Sequence, residues 1–91
     1  METDMIVIES LSLEEAKTKG ILNWGIWEKE ISEFFWSYEI TEMSYILEGE
    51  AEITPDGGDT VYIKTGDLIT FKAGLNCTWK VKKAIRKHYS F

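Results

Sequence analysis

Apolar and polar residues alternate along most of this chain, the pattern of strands that cover one face and leave the other in water. Segments 24–28, 34–40, 43–48, 50–54, 60–64, 68–71, 76–82 and 85–91 all read as strands, and MIVIES at 5–10 adds a short one. Between them Leu-Glu-Gly, Pro-Asp-Gly-Gly-Asp, Thr-Gly-Asp and Ala-Gly-Leu-Asn supply residues that tolerate tight turns. One stretch breaks the pattern. Ser12-Leu13-Glu14-Glu15 forms a capping box ahead of a short helix that Gly20 ends, with Lys17 and Lys19 near the negative end of its dipole. Many short strands at close spacing predict an all-β barrel or sandwich with one short N-terminal helix. With no repeats, linkers or low-complexity tracts, residues 1–91 need only a single domain.

The same alternation predicts which side chains look inward. In 76–82, Cys77, Trp79 and Val81 share the covered face, opposite Asn76, Thr78, Lys80 and Lys82. In 34–40 the aligned set is Phe34, Trp36, Tyr38 and Ile40, so Trp36 and Tyr38 are predicted to point in. The last strand aligns Ile85, Lys87, Tyr89 and Phe91, and places His88 on the outer face with Arg86 and Ser90. Lys87 is thus the odd member of an apolar row. A buried ammonium is costly unless paired, so it either snorkels past the sheet edge or meets a carboxylate inside. Asp67 after Gly66 reads as a turn residue, and Glu28, Glu30, Glu48 and Glu50 as a solvated face.

Composition narrows the class. The chain is 44% apolar, 13% aromatic and 29% charged, the make-up of an ordinary globular protein. At 91 residues it can bury roughly 60–65% of its unfolded surface in one core. A net charge of −6 argues against nucleic acid and anionic membrane as partners, since phosphate would meet a repulsive field. No apolar run approaches the ~18 residues of a spanning helix, and METDMIVIES carries acids where a signal peptide has bases, so a cytoplasmic location is expected. Cys77 is the only cysteine, which rules out an internal disulfide and a Cys-based zinc knuckle.

The run Trp24, Trp27, Phe34, Trp36, Tyr38, Glu42, followed by YILEGEAEITPDGG, GDLITF, AGLNCTW and RKHYSF, resembles the cupins. Within them it resembles the small single-domain proteins related to the cupin domain of ureidoglycine aminohydrolase. The resemblance spans about Trp24 to Phe91 and implies a small jelly-roll β-barrel. In metal-binding cupins the first motif carries two histidines, a glutamate and a glycine. Counting back from Gly49 places the glutamate at Glu42 and the histidines at Trp36 and Tyr38. In the second motif Gly66 and Gly74 fit, Lys72 replaces a proline, and the histidine position holds Cys77. Zn, Mn and Fe centres need about three or four N, O or S donors, and indole offers none. No metal and no other cofactor is therefore expected. Ureidoglycine aminohydrolase releases ammonia with the metal ligands that are missing here, so its reaction is not carried over.

What takes the metal's place is a predicted pocket of Trp36, Tyr38, Glu42, Cys77, Trp79 and Lys87, which combines an acid, a base, a thiol and aromatic walls. Three functions stay open. One is a metal-independent enzyme on a small nitrogenous or carbonyl compound, with Glu42 and Lys87 in acid–base roles, Tyr38 orienting the substrate and Cys77 as a further reactive group. Another is a non-catalytic binding or sensing module with Trp36 and Trp79 as walls. The last is a structural or interaction protein. Edge strands bearing Trp24 and Trp27 could also pair two copies into a homodimer.

Overall fold

The computed structural model describes residues 5–91. These form strand β1 (Ile6–Ser10), helix α1 (Leu13–Thr18), a 3₁₀ turn (Ile21–Asn23) and strands β2 (Gly25–Lys29), β3 (Ser32–Ser37), β4 (Glu42–Pro55), β5 (Val61–Lys64), β6 (Asp67–Phe71) and β7 (Asn76–Ser90). Every pairing among them is antiparallel. No helix among the described residues is long and apolar enough to cross a membrane.

β4 and β7 pair along nearly their whole lengths, from Met43–Ser90 to Pro55–Cys77. Shorter strands attach to opposite halves of this spine. β6 pairs with the first part of β4 and carries β1 on its other edge, while β2 pairs with Ile85–Tyr89 of β7. On the other half, β3 pairs with Asn76–Val81 of β7 and β5 with Glu50–Ile53 of β4. The sheet thus folds over on itself, as an all-β barrel does.

Two boundaries correct the sequence expectation. Segments 43–48 and 50–54 are one strand, and so are 76–82 and 85–91. Leu-Glu-Gly is no turn but a bulge within β4, where the register against β7 shifts between Ile46 and Ala51. Gly49 makes this possible: its φ is +102°, and a Cβ there would lie 2.2 Å from the Ala84 carbonyl oxygen. The irregular pairing also changes the parity of the covered face on β4, which advances five residues there, from Ile46 to Ala51, while β7 advances six, from Lys87 to Val81. Ser44 and Ile46 face inward before the bulge, Ala51 and Ile53 after it.

β3 ends at Ser37, earlier than 34–40 predicts, because the chain turns at Tyr38 to meet the β6–β7 connection. The Tyr38 N–H donates to the Leu75 carbonyl at 2.8 Å, and the Gly74 N–H donates to the Tyr38 carbonyl at 2.7 Å. Tyr38 remains buried, but Ile40 is released to solvent and Trp36 is 48% exposed.

The main core lies inside the barrel and gathers Ile46, Ala51, Ile53, Ile63, Ile69, Phe71, Trp79, Val81 and Ile85. A second, smaller cluster lies outside it: Ala16 of α1 and Ile21 pack with Tyr45 and Leu68, flanked by Leu11, Leu22 and Trp24. The predicted capping box starts α1, with the Glu15 N–H donating to Ser12 Oγ at 3.1 Å and the Ser12 N–H to Glu15 Oε1 at 2.9 Å. This outer layer corrects the placement of His88. His88 does lie opposite Lys87, but it is only 8% exposed, with Nδ1 3.1 Å from the Trp24 carbonyl oxygen. Trp24 and Trp27 are each half-buried against a core of their own chain. Glu28, Glu30, Glu48 and Glu50 are exposed, and the buried carboxylate of Asp67 accepts the Lys64 N–H across its turn at 2.9 Å.

Candidate functional site

A pocket of about 200 Å³ opens at one end of the barrel, lined by Trp27, Phe34, Tyr38, Glu42, Trp79 and Lys87, with Trp36, Tyr89 and Phe91 around its mouth. Its floor is polar. Lys87 Nζ donates to Glu42 Oε2 and to Ser44 Oγ, both at 2.9 Å, and Ser44 Oγ donates to the same Glu42 oxygen at 2.9 Å. These three residues meet because Glu42 and Ser44 are alternate residues of β4 and Lys87 sits inward on β7, opposite Ile46. Lys87 is 4% exposed and Glu42 8%, which settles the open alternative: the ammonium meets a carboxylate inside and does not snorkel.

Aromatic rings surround the ammonium. Nζ lies 4.9 Å from the Trp27 ring centre, 5.0 Å from Trp79 and 5.7 Å from Phe71, within cation–π range. Burial pulls the Lys87 pKa below its ordinary value, and the Glu42 carboxylate opposes that shift only in part. The Tyr38 ring stacks on Phe71 at 4.6 Å, and its oxygen accepts the Trp79 indole N–H at 3.3 Å. Burial, reinforced by the Glu42 charge, raises the Tyr38 phenol far above its usual range, so it stays a donor.

Three hydrogen-bonding capacities on the floor remain unused by the described residues. The Lys87 ammonium has three N–H groups and two are engaged. The Tyr38 hydroxyl accepts from Trp79 and donates to none of the described residues. Glu42 Oε1 bonds to none of them either, and among the described residues no buried side-chain oxygen or nitrogen lacks a partner, so Oε1 is open to the pocket. The site therefore offers two donors and an acceptor beneath apolar walls.

Five of the six residues predicted for the site line this pocket; Cys77 does not. It is fully buried, its Sγ lies 3.7 Å from the Trp36 carbonyl oxygen, and burial, with the Asp56 charge adding, pushes its thiol up to about 11. Such a thiol is a poor nucleophile. Sequence reasoning missed Trp27, Phe34, Tyr89 and Phe91 as pocket residues, and Ser44 as the buried hydroxyl that ties Lys87 to Glu42 beneath it. Ser44 was within reach of the alternation argument, being two residues beyond Glu42 on the same face. Trp27 and Phe34 needed the pairing of β2 and β3 with β7, which sets them opposite Lys87 and Trp79.

The donor set does not fit a metal. Among the described residues no three His, Cys, Asp or Glu side chains gather as an ion site. At the motif's histidine positions stand an indole, a phenol bonded to Trp79 and a thiol turned toward a carbonyl, and the carboxylate is taken by an ammonium.

A small antiparallel barrel holding its pocket between two long shared strands has the architecture of a cupin. More narrowly, the chain belongs to the EutQ-like cupin domain family, whose model matches residues 16–89. Among solved structures, a DUF861 family protein from Thermotoga maritima is 46% identical, the match covering 94% of this chain and 98% of that one at a TM-score of 0.89. The EutQ protein of Clostridium difficile is 25% identical over 92% of this chain and 64% of that one, at a TM-score of 0.65. A DUF861 family protein of unknown function from Pseudomonas syringae pv. tomato is 26% identical over 71% of this chain and 28% of that one, at a TM-score of 0.65. The chain thus spans less than two thirds of the length of the last two. No curated protein matches.

Proposed function

We propose that this protein is a metal-independent cupin whose pocket binds a small metabolite with a carbonyl or nitrogenous head and an apolar body. One observation carries the reading: the Lys87–Glu42–Ser44 cluster sits beneath aromatic walls with donor and acceptor capacity left over. A head group that accepts from Lys87 and Tyr38 and donates to Glu42 Oε1 would satisfy all three. Size supports a small ligand. An engineered cavity of ~150 Å³ takes benzene, so about 200 Å³ suits roughly six to ten non-hydrogen atoms. The likeness to ureidoglycine aminohydrolase lies in sequence motifs whose metal ligands are replaced here, and it supplies no reaction. The EutQ match supports the fold and family and likewise names no ligand for this chain.

A thermal-shift screen of small amides, ketones, aldehydes and carboxylic acids tests the reading. A ligand that binds only the folded state at about 100 times its Kd stabilises by roughly 2.7 kcal/mol. The expected hit raises the melting temperature of the wild type and not that of the Glu42→Gln, Lys87→Met double variant. A hit that binds that variant equally well overturns the assignment.

A further inference from the structure

The amine of Lys87 has a setting that simple recognition does not require. A surface lysine would serve to hold a carboxylate, whereas this one is buried among three aromatic rings and hydrogen-bonded to a carboxylate that can take its proton. Ser44 fixes the nitrogen from a second side by accepting its N–H while donating to Glu42. The pocket that Lys87 lines also holds the Tyr38 hydroxyl, whose proton is unclaimed among the described residues.

We propose that Lys87 is a covalent carbonyl-capturing nucleophile, forming an imine with small aldehydes or unhindered ketones bound in the pocket. This deepens the proposed binding function and rests on it. The steps balance within the residues present. The Lys87 ammonium passes one proton to Glu42, and the freed lone pair forms the N–C bond to the carbonyl carbon. The C=O π pair moves onto oxygen, which Tyr38 O–H holds by a hydrogen bond and which takes a proton from the attacking nitrogen. Glu42 then returns its proton to that hydroxyl, which leaves as water while the nitrogen lone pair forms the C=N bond. The net change is ammonium plus carbonyl to protonated imine plus water. The product cation keeps the Glu42 carboxylate as counter-ion and the Trp27 and Trp79 faces beside it. Burial, which favours the neutral amine, helps the first proton move.

Reductive trapping decides it. Wild-type protein is incubated with acetaldehyde, pyruvate or benzaldehyde and sodium cyanoborohydride, then mapped by peptide mass spectrometry. Lys64, Lys80, Lys82 and Lys83 are exposed and serve as internal references in the same sample. The expected result is reduction onto Lys87 at carbonyl concentrations at least about tenfold below those that label the exposed lysines. Tyr38→Phe, which keeps the ring stack, should slow trapping at Lys87 and leave the reference lysines unchanged. Labelling of exposed lysines with Lys87 untouched overturns the proposal. A thermal-shift response to the same carbonyl compounds in that case leaves the binding function standing, and its absence removes that reading for these ligands too.

Discussion

Removing the Glu42 carboxylate would leave the Lys87 ammonium buried without its anion, and the two should therefore be strongly coupled. Glu42→Gln is expected to destabilise by about 3–5 kcal/mol, and adding Lys87→Met should recover much of that loss. A double-mutant cycle by urea denaturation checks it; additivity within about 0.5 kcal/mol would contradict the coupling. Cys77 sets a different pH dependence. Its folded thiol titrates near 11 against 9.0 for the free group, so between those values the folded state holds the extra proton. Stability should fall as pH rises through that window. Denaturation at about pH 8 and about pH 10.5 should show a decline that is smaller in Cys77→Ala. Lys87 has the opposite sign: its lowered pKa means the unfolded state binds more protons just below the free-lysine range, so its own contribution to stability rises there with pH. Lys87 was legible in the sequence as a charge in an apolar row, and Glu42 through the spacing of a motif. Ser44, the next residue on the face of Glu42, was within reach of the same alternation, but a serine in a strand looks ordinary until its hydroxyl is seen bridging the two.

At the level of elements, the bulge at Gly49 decides how β4 crosses the barrel. Gly49→Ala would drive a methyl into the Ala84 carbonyl and is expected to cost about 3 kcal/mol or more. Gly57 also has a positive φ, of 73°, but open space around it, so Gly57→Ala should cost only about 1 kcal/mol. Thermal or urea unfolding of the two variants compares them directly. Here the limits of sequence reading have a physical origin. Period-two alternation found the strands and most of the inward faces, because a closed sheet must cover one side of each. It split β4 because a glycine that permits a bulge and a glycine that permits a turn look alike along the chain, and it split β7 because Lys83 interrupts the apolar row between Val81 and Ile85. It placed His88 on the outer face but missed its burial there, because nothing local to the last strand announces that the segment carrying Trp24 will cover that face. Trp36 illustrates a third limit: alternation assumes an ideal strand, and β3 ends just beyond it.

Taken whole, the molecule commits its cupin pocket to an ion pair and aromatic rings. Protein purified without added metal is expected to carry well under one equivalent of Mn, Fe, Zn or Ni by elemental analysis; a stoichiometric metal that survives a chelator would overturn that expectation. The spine of β4 and β7 has a further consequence for how the molecule breathes. Because the same two strands knit both halves together, neither half can detach without tearing the ladder from Met43–Ser90 to Pro55–Cys77. Amide protons near Ile53 and Trp79 should exchange with solvent only when the whole chain opens, while those of β1, held on one side by β6, should exchange through smaller openings. On the proposed binding function, a guest would reach Lys87 past the exposed side chains at the mouth, Trp36 and Phe91 foremost, without any parting of the two long strands.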